Sequence, residues 1–516
     1  MKNLWIGLLL LAFSSKAQVA KIAADTEFFS MAGGKNFDEG RSIAALQHGG
    51  FIVAGTTSSF GEGNTSVYLI KTDTLGKHIW SKTFGGTLND WAYSVHVTAD
   101  SGFFIAGYSN SFNSQQNYDP YFLKTDKNGN LLWQKAISGN DWAFLYGATP
   151  MPSGGFLLCG KTYINTHGGS DGLLIRINDL GDTLWSKTIG GPSDEAFNSI
   201  IVYNSRIYAV GSNNSNRTDS LSDGWAMELD TFGNLLNTRF VTGNHHHSTV
   251  LRSVSPATTL SPALYMCGDQ TLTDSGSMIT VILKADTGLN FTAGPFYGNY
   301  TARGNLAGFN QVITTSYNNV CAIGSATGGL GGMNMFFVGY NQNLIWINDF
   351  AHDCGGSKDD FGYGLVRAND GKLFGIGRTL SYCAELEDVY IVGFNSDSIL
   401  NNNIQVADTS CFKDTMALWT SNVKSIAPSD IHCRFFPNPA SANLTIELTG
   451  NNAGSTHKAQ VFNLMGVQIA DAEIGNSNER TSAVVDVSGL SPGTYLLKIL
   501  GSSGDVLLIA KFMVIH

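Results

Sequence analysis

Five aspartates recur at one point of a repeating pattern. Asp38, Asp90, Asp141, Asp194 and Asp360 each stand where an alternating apolar stretch begins. Carboxylates gathered in this way suit two kinds of chemistry. Hard cations take oxygen ligands at about 2.3–2.6 Å, and two carboxylates about 5–9.5 Å apart can hydrolyse a glycosidic bond. The competing reading is local. Each Asp caps its own loop by accepting backbone N–H groups, and a residue that recurs with a repeat serves the repeat. Asp119, Asp171, Asp223 and Asp388 recur similarly and are read the same way. Trp91 and Trp142 directly follow two of the aspartates. Exposed, they are platforms for stacking sugars; buried, they wedge between sheets. His245-His246-His247 offers imidazoles. Zinc needs converging ligands, and no Cys or acid is spaced to join them, so no metal site is expected. The chain has no Gly-x-Ser-x-Gly elbow, P-loop, His-Glu-x-x-His or paired Cys-x-x-Cys, and no cofactor is expected.

The elements that position these residues come from a repeat. The last residue of each Asp-x-x-Gly-x-x-x-Trp-like element falls at Trp80, Trp133, Trp185, Leu236, Phe291, Trp346 and Leu400. The glycine ending each Phe-Ile-Val-Ala-Gly-like strand falls at Gly55, Gly107, Gly160, Gly211, Gly268, Gly324 and Gly377. Both landmarks count seven units spaced by 51–57 residues. Unit two shows four strands at 91–99, 103–108, 121–125 and 131–137, with tight turns at Asp100-Ser101-Gly102 and at 126–129. Four strands per unit are the signature of a β-propeller blade. Seven blades packed radially bury faces that one sheet leaves bare. An eighth outer-strand segment, 27–32, precedes Gly33-Gly34. It is expected to close the ring as the outer strand of the last blade, with 400–406 leading away.

In such blades the loops between strands D and A and between B and C share one face, which carries the aspartates and both tryptophans. Trp80, Trp133, Trp185 and Trp346 read as interblade packing, and Cys159, Cys267 and Cys321 as buried small hydrophobes. Cys354 and Cys383 fall in two loops of one rim and are expected to form a disulfide. Cys411 and Cys433 bracket a linker and are a second expected pair. Each pair would stabilise by ~3 kcal/mol in the entropic account.

Gly85-Gly86, Asp90, Gly102-Phe103, Ala106-Gly107 and Trp133 resemble bacterial propeller repeats. Units five and six depart, with Gly243-Asn244 and Gly298-Asn299 lacking the following Asp. The Trp-bearing turn also resembles quinoprotein repeats and the Asp-box of sialidases, though its Asp–Gly spacing is one residue longer. A second resemblance lies at the C-terminus, in Phe436-Pro437-Asn438-Pro439, in Val461 to Gly466, in Val487 to Tyr495 and in Lys511-Phe512-Met513-Val514. These resemble the C-terminal sorting domain of proteins exported by the type IX secretion system of Bacteroidota. The resemblance implies passage over the outer membrane, removal of this domain, and release or attachment to surface lipopolysaccharide. The alternative is an ordinary terminal β-sandwich, with carbohydrate as a candidate ligand. Asp73-Thr74-Leu75, Asp182-Thr183-Leu184, Asp219-Ser220-Leu221, Asp397-Ser398-Ile399 and Asp414-Thr415-Met416 resemble the O-glycosylation signal of that phylum.

Composition agrees with export of an all-β protein. Of 516 residues 43% are hydrophobic, only 14% are charged and 59 are Gly, which excludes disorder and coiled coil. A net charge of −10 argues against nucleic acid. The basic start, the short apolar run 4–13 and Ala17 read as a signal peptide, too short to span a membrane. The expected order is a signal peptide at 1–17, a seven-bladed propeller at 18–400, a linker at 401–433 and a small Ig-like β-sandwich at 434–516. No transmembrane segment is expected. The protein is placed outside the cell or on its outer surface, reached via the periplasm, with the secretion machinery as partner of 434–516. The first functional reading is a non-enzymatic module that binds a glycan or protein through Asp38, Asp90, Trp91, Asp141, Trp142, Asp194 and Asp360. The second is a secreted hydrolase or lyase using carboxylates on the same rim. The third is a structural or adhesive surface component.

Overall fold

The computed structural model describes residues 26–242, 247–257, 261–272, 275–298, 306–315, 319–327, 332–382, 386–394, 409–411, 431–436, 441–450, 457–462, 468–477, 480–491, 493–500 and 506–514. The expected signal peptide, His245, His246, Cys383 and the segment 400–406 lie outside these residues. So do the side chains of Cys411 and Cys433. Every regular element among the described residues is a strand, and no helix is long and apolar enough to cross a membrane. The chain divides into two compact units, 1–417 and 418–516.

The first unit holds seven antiparallel sheets, each built of strands A to D in order. Blades one to six span 38–84, 90–136, 143–189, 195–241, 247–298 and 307–353. Blade seven takes its first three strands from 360–394. Its fourth is Thr26–Ala32, antiparallel to Asp388–Phe394 with Ala32 opposite Val389. The N-terminal segment therefore closes the ring, as the count of outer strands implied. Thr409–Cys411, inside the expected linker, adds a short parallel strand outside it. Strand A of each blade packs on the first three strands of the blade before it, and blade one packs on blade seven in the same way.

Two sequence landmarks have direct physical causes. Strand A bulges at the same register in every blade, for example between Gly40 and Ser42 and between Ala92 and Ser94. The bulge swings a strand-A carbonyl against strand B. A Cβ on Gly107 would stand 1.8 Å from the Trp91 oxygen, which explains the glycine at this point of strand B, two residues before its end. The outer-strand tryptophans reach the next blade instead. Trp80, Trp133 and Trp185 lie against Gly129, Gly181 and Gly233, which have positive φ in the following C–D turns. Lys135, two residues after Trp133, pairs with Asp182 in the same turn at 2.5 Å. Trp346 is 46% exposed; blade seven takes its fourth strand from the N-terminal segment, so no C–D hairpin joins its last two strands. Cys159, Cys267 and Cys321 are buried as expected, and burial pushes their thiols up. Cys354 is buried too.

Among its described residues the second unit has seven strands in one continuous pairing order, folded as two small sheets that share one strand. Ile431–Phe436, Asn443–Gly450 and Arg480–Asp486 form one; His457–Phe462, Gly493–Leu500 and Val506–Val514 form the other. Gln468–Ser477 runs through both, pairing first with His457–Phe462 and then with Arg480–Asp486. Alternating residues meet in one core, Leu444, Ile446 and Val485 with Val461, Leu497 and Phe512.

Candidate functional site

The rim aspartates divide into two groups. Asp38, Asp90 and Asp360 are the first residues of strand A in blades one, two and seven, and none is exposed. Each fastens two loops together. Their carboxylates accept the N–H of Gly34, Gly86 and Gly356 from the D–A loop at 2.7, 2.8 and 2.7 Å. They accept the hydroxyls of Ser59, Ser111 and Ser381 from the B–C loop at 2.7, 3.0 and 2.6 Å. Asp90 and Asp360 also accept Ser109 and Thr379. The approach requires glycine: Gly85 has φ +132°, and a Cβ there would lie 2.1 Å from Asp90 Oδ2. Burial raises the pKa of all three, against the pull of these hydrogen bonds.

Asp141 and Asp194 stand out of this register. Blade three has Ala143 at the equivalent position and blade four has Glu195. Asp141 is exposed and accepts the Trp142 N–H at 2.7 Å. Asp194 is exposed and holds the N–H and hydroxyl of Ser170 at 2.8 and 3.0 Å. The strand-C aspartates are buried and similarly engaged. Asp119 accepts Gly139 N–H and Asn113, Asp171 accepts His167, and Asp223 accepts Asn216 and Arg217. Among the described residues no three acidic, His or Cys side chains converge as a metal site. His247 opens strand A of blade five.

The seven bulges place their side chains on the innermost strands around the axis. In blades seven, one, two and three these residues are Tyr363, Arg41, Tyr93 and Tyr146. The Arg41 guanidinium lies 3.9 Å from the Tyr363 ring centre and 5.2 Å from that of Tyr93, and Tyr93 meets Tyr146 at 5.5 Å. Burial opposes the Arg41 charge most strongly, but Glu39 at 2.6 Å together with Tyr363 and Tyr93 outweighs it and the group stays protonated. In blades four, five and six the bulge residues are Asn198, Arg252 and Asn310.

The layer nearer the D–A and B–C loops repeats the asymmetry. Strand A carries Phe361, Glu39, Trp91 and Phe144 on one arc, facing Arg378, Thr56, Tyr108 and Lys161 of strand B. On the other arc stand Ala196, Val250 and Gly308, facing Ser212, Asp269 and Ser325. One side of the face is therefore an aromatic and cationic wall and the other is low and polar. Trp91 stacks on Tyr108 at 6.2 Å, and Tyr108 meets Phe144 at 4.9 Å. Trp142 extends this wall through Tyr118 at 6.0 Å and remains 47% exposed. The carboxylates here are tied to arginine: Glu39 to Arg41, Glu387 to Arg378 at 2.9 Å, and Asp269 to Arg252. Reading the sequence found Trp91 and Trp142 but missed the arc. Its signal was the aromatic run at the second and fourth residues of successive A strands.

Residues 434–515 match the Secretion system C-terminal sorting domain. This defines the class: an exported seven-bladed propeller that carries the type IX secretion address to the cell surface or beyond. No curated protein matches the chain by sequence. Among solved structures it is similar to PorZ of Porphyromonas gingivalis, an essential bacterial surface component of the type-IX secretion system. The two are 12% identical with TM-score 0.37 over 94% of this chain and 60% of PorZ, so this chain spans about three fifths of that protein's length. It is similar to Sqt1 from Chaetomium thermophilum at 10% identity and TM-score 0.41, covering 72% and 99% of the two chains. It is similar to an α-L-arabinofuranosidase from Fusarium graminearum at 8% identity and TM-score 0.41, covering 73% and 99%.

Proposed function

We propose that the propeller is a non-enzymatic binding module for a glycan chain, held at the cell surface or shed from it. The observation that carries this reading is the aromatic arc of blades seven to three, ending in half-exposed Trp142. Flat, weakly hydrated rings beside hydrogen-bonding groups suit the alternating C–H and O–H faces of sugars. The low arc opposite leaves room for a polymer to cross the mouth. Pairing of Glu39 and Asp269 with arginines favours binding over hydrolysis, which needs a second carboxyl beside the one that holds a proton; burial raises the pKa of Glu387 even beside Arg378. Asp38, Asp90 and Asp360 serve this reading from below, by fixing the loops.

A melting series of the full chain against neutral polysaccharides tests it. A polymer at about 100 times its Kd stabilises by ~2.7 kcal/mol if it binds the folded state alone. The expected result is a stabilising shift with at least one polymer, reduced at least tenfold in apparent affinity by Trp142→Ala. No shift with any polymer, or a shift indifferent to Trp142→Ala, overturns the reading. Release of reducing ends during incubation would establish the hydrolase instead.

A further inference from the structure

Blade four keeps a large strand-C ring but lacks the loop ring that accompanies it in blades one, two and seven. In each blade a strand-C side chain stands opposite the strand-B glycine: Tyr68, Tyr121, Trp225 and Tyr390 in blades one, two, four and seven. Five residues after that glycine, the B–C loop of blades one, two and seven supplies a second ring that covers the first. Phe60 meets Tyr68 at 5.7 Å, Phe112 stacks on Tyr121 at 5.2 Å, and Tyr382 meets Tyr390 at 5.5 Å. Blade three pairs Asn165 with the smaller Leu173, and Ile164 packs into that core. Blade four keeps the large ring, Trp225, but has Asn216 where the cover belongs. A pocket of about 200 Å³, open to solvent, lies there, lined by Trp225, Phe240, Ile189, Asn213, Ser215 and Asn216, with Trp225 itself 4% exposed.

The lining states what the cavity takes. Trp225, Phe240 and Ile189 give an apolar wall, with Phe197 stacked at 4.6 Å to fix the indole. The polar groups are neutral and offer both donors and acceptors: two side-chain amides and a hydroxyl. No charged side chain lines the cavity. Behind it stand carboxylates, Glu195 bonded to the N–H groups of Gly191 and Ser215, and Asp223 bonded to Asn216 and Arg217. An anion would meet them as like charges. Asn213 Oδ1 accepts the Asn216 N–H, Asn216 Nδ2 donates to Asp223 and Ser215 Oγ accepts the Ser193 N–H, which leaves Asn213 Nδ2, Asn216 Oδ1 and the Ser215 hydroxyl proton for a polar, uncharged guest. The space equals roughly six waters and is smaller than the ~300–1,000 Å³ of drug-sized sites. A single hexose brings about as many oxygens on one compact ring.

We propose that this cavity is a second binding site, taking one neutral monosaccharide unit such as the end of a surface glycan. It rests on the reading of the propeller as a carbohydrate-binding module and gives that module a terminal-residue site apart from the aromatic mouth. Saturation-transfer NMR on the full chain tests it, with glucose, galactose, mannose, fucose and N-acetylglucosamine as probes and glucuronate as the charged control. The expected result is saturable binding of at least one neutral sugar with a Kd near ~1 mM, where about 10 mM fills most sites. Asn216→Phe, which installs the ring that blades one and two carry, reduces that affinity at least tenfold and does not lower Tm. Should that variant fold poorly, the pair Asn213→Ala with Ser215→Ala is expected to give the same loss. Absence of saturation by all five sugars, unchanged affinity in both variants, or equal binding of glucuronate overturns the proposal. Trp142-dependent polymer binding without monosaccharide binding leaves the mouth and removes the cavity. Monosaccharide binding lost in Asn216→Phe, without a Trp142-dependent polymer shift, does the reverse.

Discussion

Deleting Thr26–Ala32 from the full chain is expected to abolish the cooperative unfolding transition of the propeller. The segment supplies the whole outer strand of blade seven, pairing with Asp388–Phe394 from Thr26 opposite Phe394 to Ala32 opposite Val389. Met31 and Ala32 are 1% and 2% exposed, and they pack with Tyr390 and Val392 and with Val389 and Ile391 respectively. Loss of Met31 alone costs about 2–5 kcal/mol. Losing the ladder as well, with a bare sheet edge left on blade seven, takes a large part of the ~5–15 kcal/mol typical of a folded domain. Met31→Asp is the graded version, placing a carboxylate among buried apolar side chains and costing several kcal/mol. Calorimetry and near-ultraviolet circular dichroism of the three chains make the comparison. A deletion chain that melts within a few degrees of the intact one would show that the ring does not depend on this strand.

The closing strand was legible because outer strands could be counted against A–B–C sets. The seven-fold register was legible for a deeper reason. Its two landmarks are forced by geometry: the glycine by a bulged carbonyl, and the tryptophan by the turn it covers. The rim was read less accurately. Asp141 and Asp194 fall two residues and one residue short of the position held by Asp38, Asp90 and Asp360; the D–A loops keep the same length, and blades three and four place Ala143 and Glu195 at that position. Glu195, with one more methylene, fills the capping role in blade four. Counting from the D–A loop glycine reveals the shift: Asp38, Asp90, Glu195 and Asp360 each follow it by four residues, whereas Asp141 and Asp194 do not.

The functional arc was hidden by a different cause. In a regular strand the second and fourth residues share a face with every other even position. The bulge re-aims the fourth residue, bringing Arg41 between Tyr93 and Tyr363. A pattern of period two cannot announce such a turn. Asn216 was hidden for the opposite reason: an Asn in a loop is unremarkable until the rings at the same place in blades one, two and seven give it a meaning. In a repeat protein the shared residues report the fold, and departures at a fixed register report what one blade does alone.

Asp90→Ala is expected to destabilise the propeller by about 3–5 kcal/mol. The substitution leaves Gly86 N–H, Ser109 Oγ and Ser111 Oγ facing a space without an acceptor, and each unsatisfied buried donor costs about 1–3 kcal/mol, less where a hydroxyl can rotate. Asp90→Asn retains an acceptor and is milder, and it isolates the ionisation. Burial raises the Asp90 pKa above 3.8, so the folded state holds its proton to higher pH than the unfolded chain. The native state then binds more protons in that window, and stability falls as pH rises through it. Asp38 and Asp360 act in the same direction. Buried His96, whose pKa is lowered by desolvation, acts oppositely below about 6.5. The difference between wild type and Asp90→Asn cancels these other groups. Wild type is expected to exceed Asp90→Asn most near pH 4, with the gap shrinking towards pH 7. Denaturant melts at several pH values read this gap directly. A gap that widens with pH would mean that the loop N–H and hydroxyl donors hold Asp90 ionised, with the carboxylate charge itself fastening the two loops.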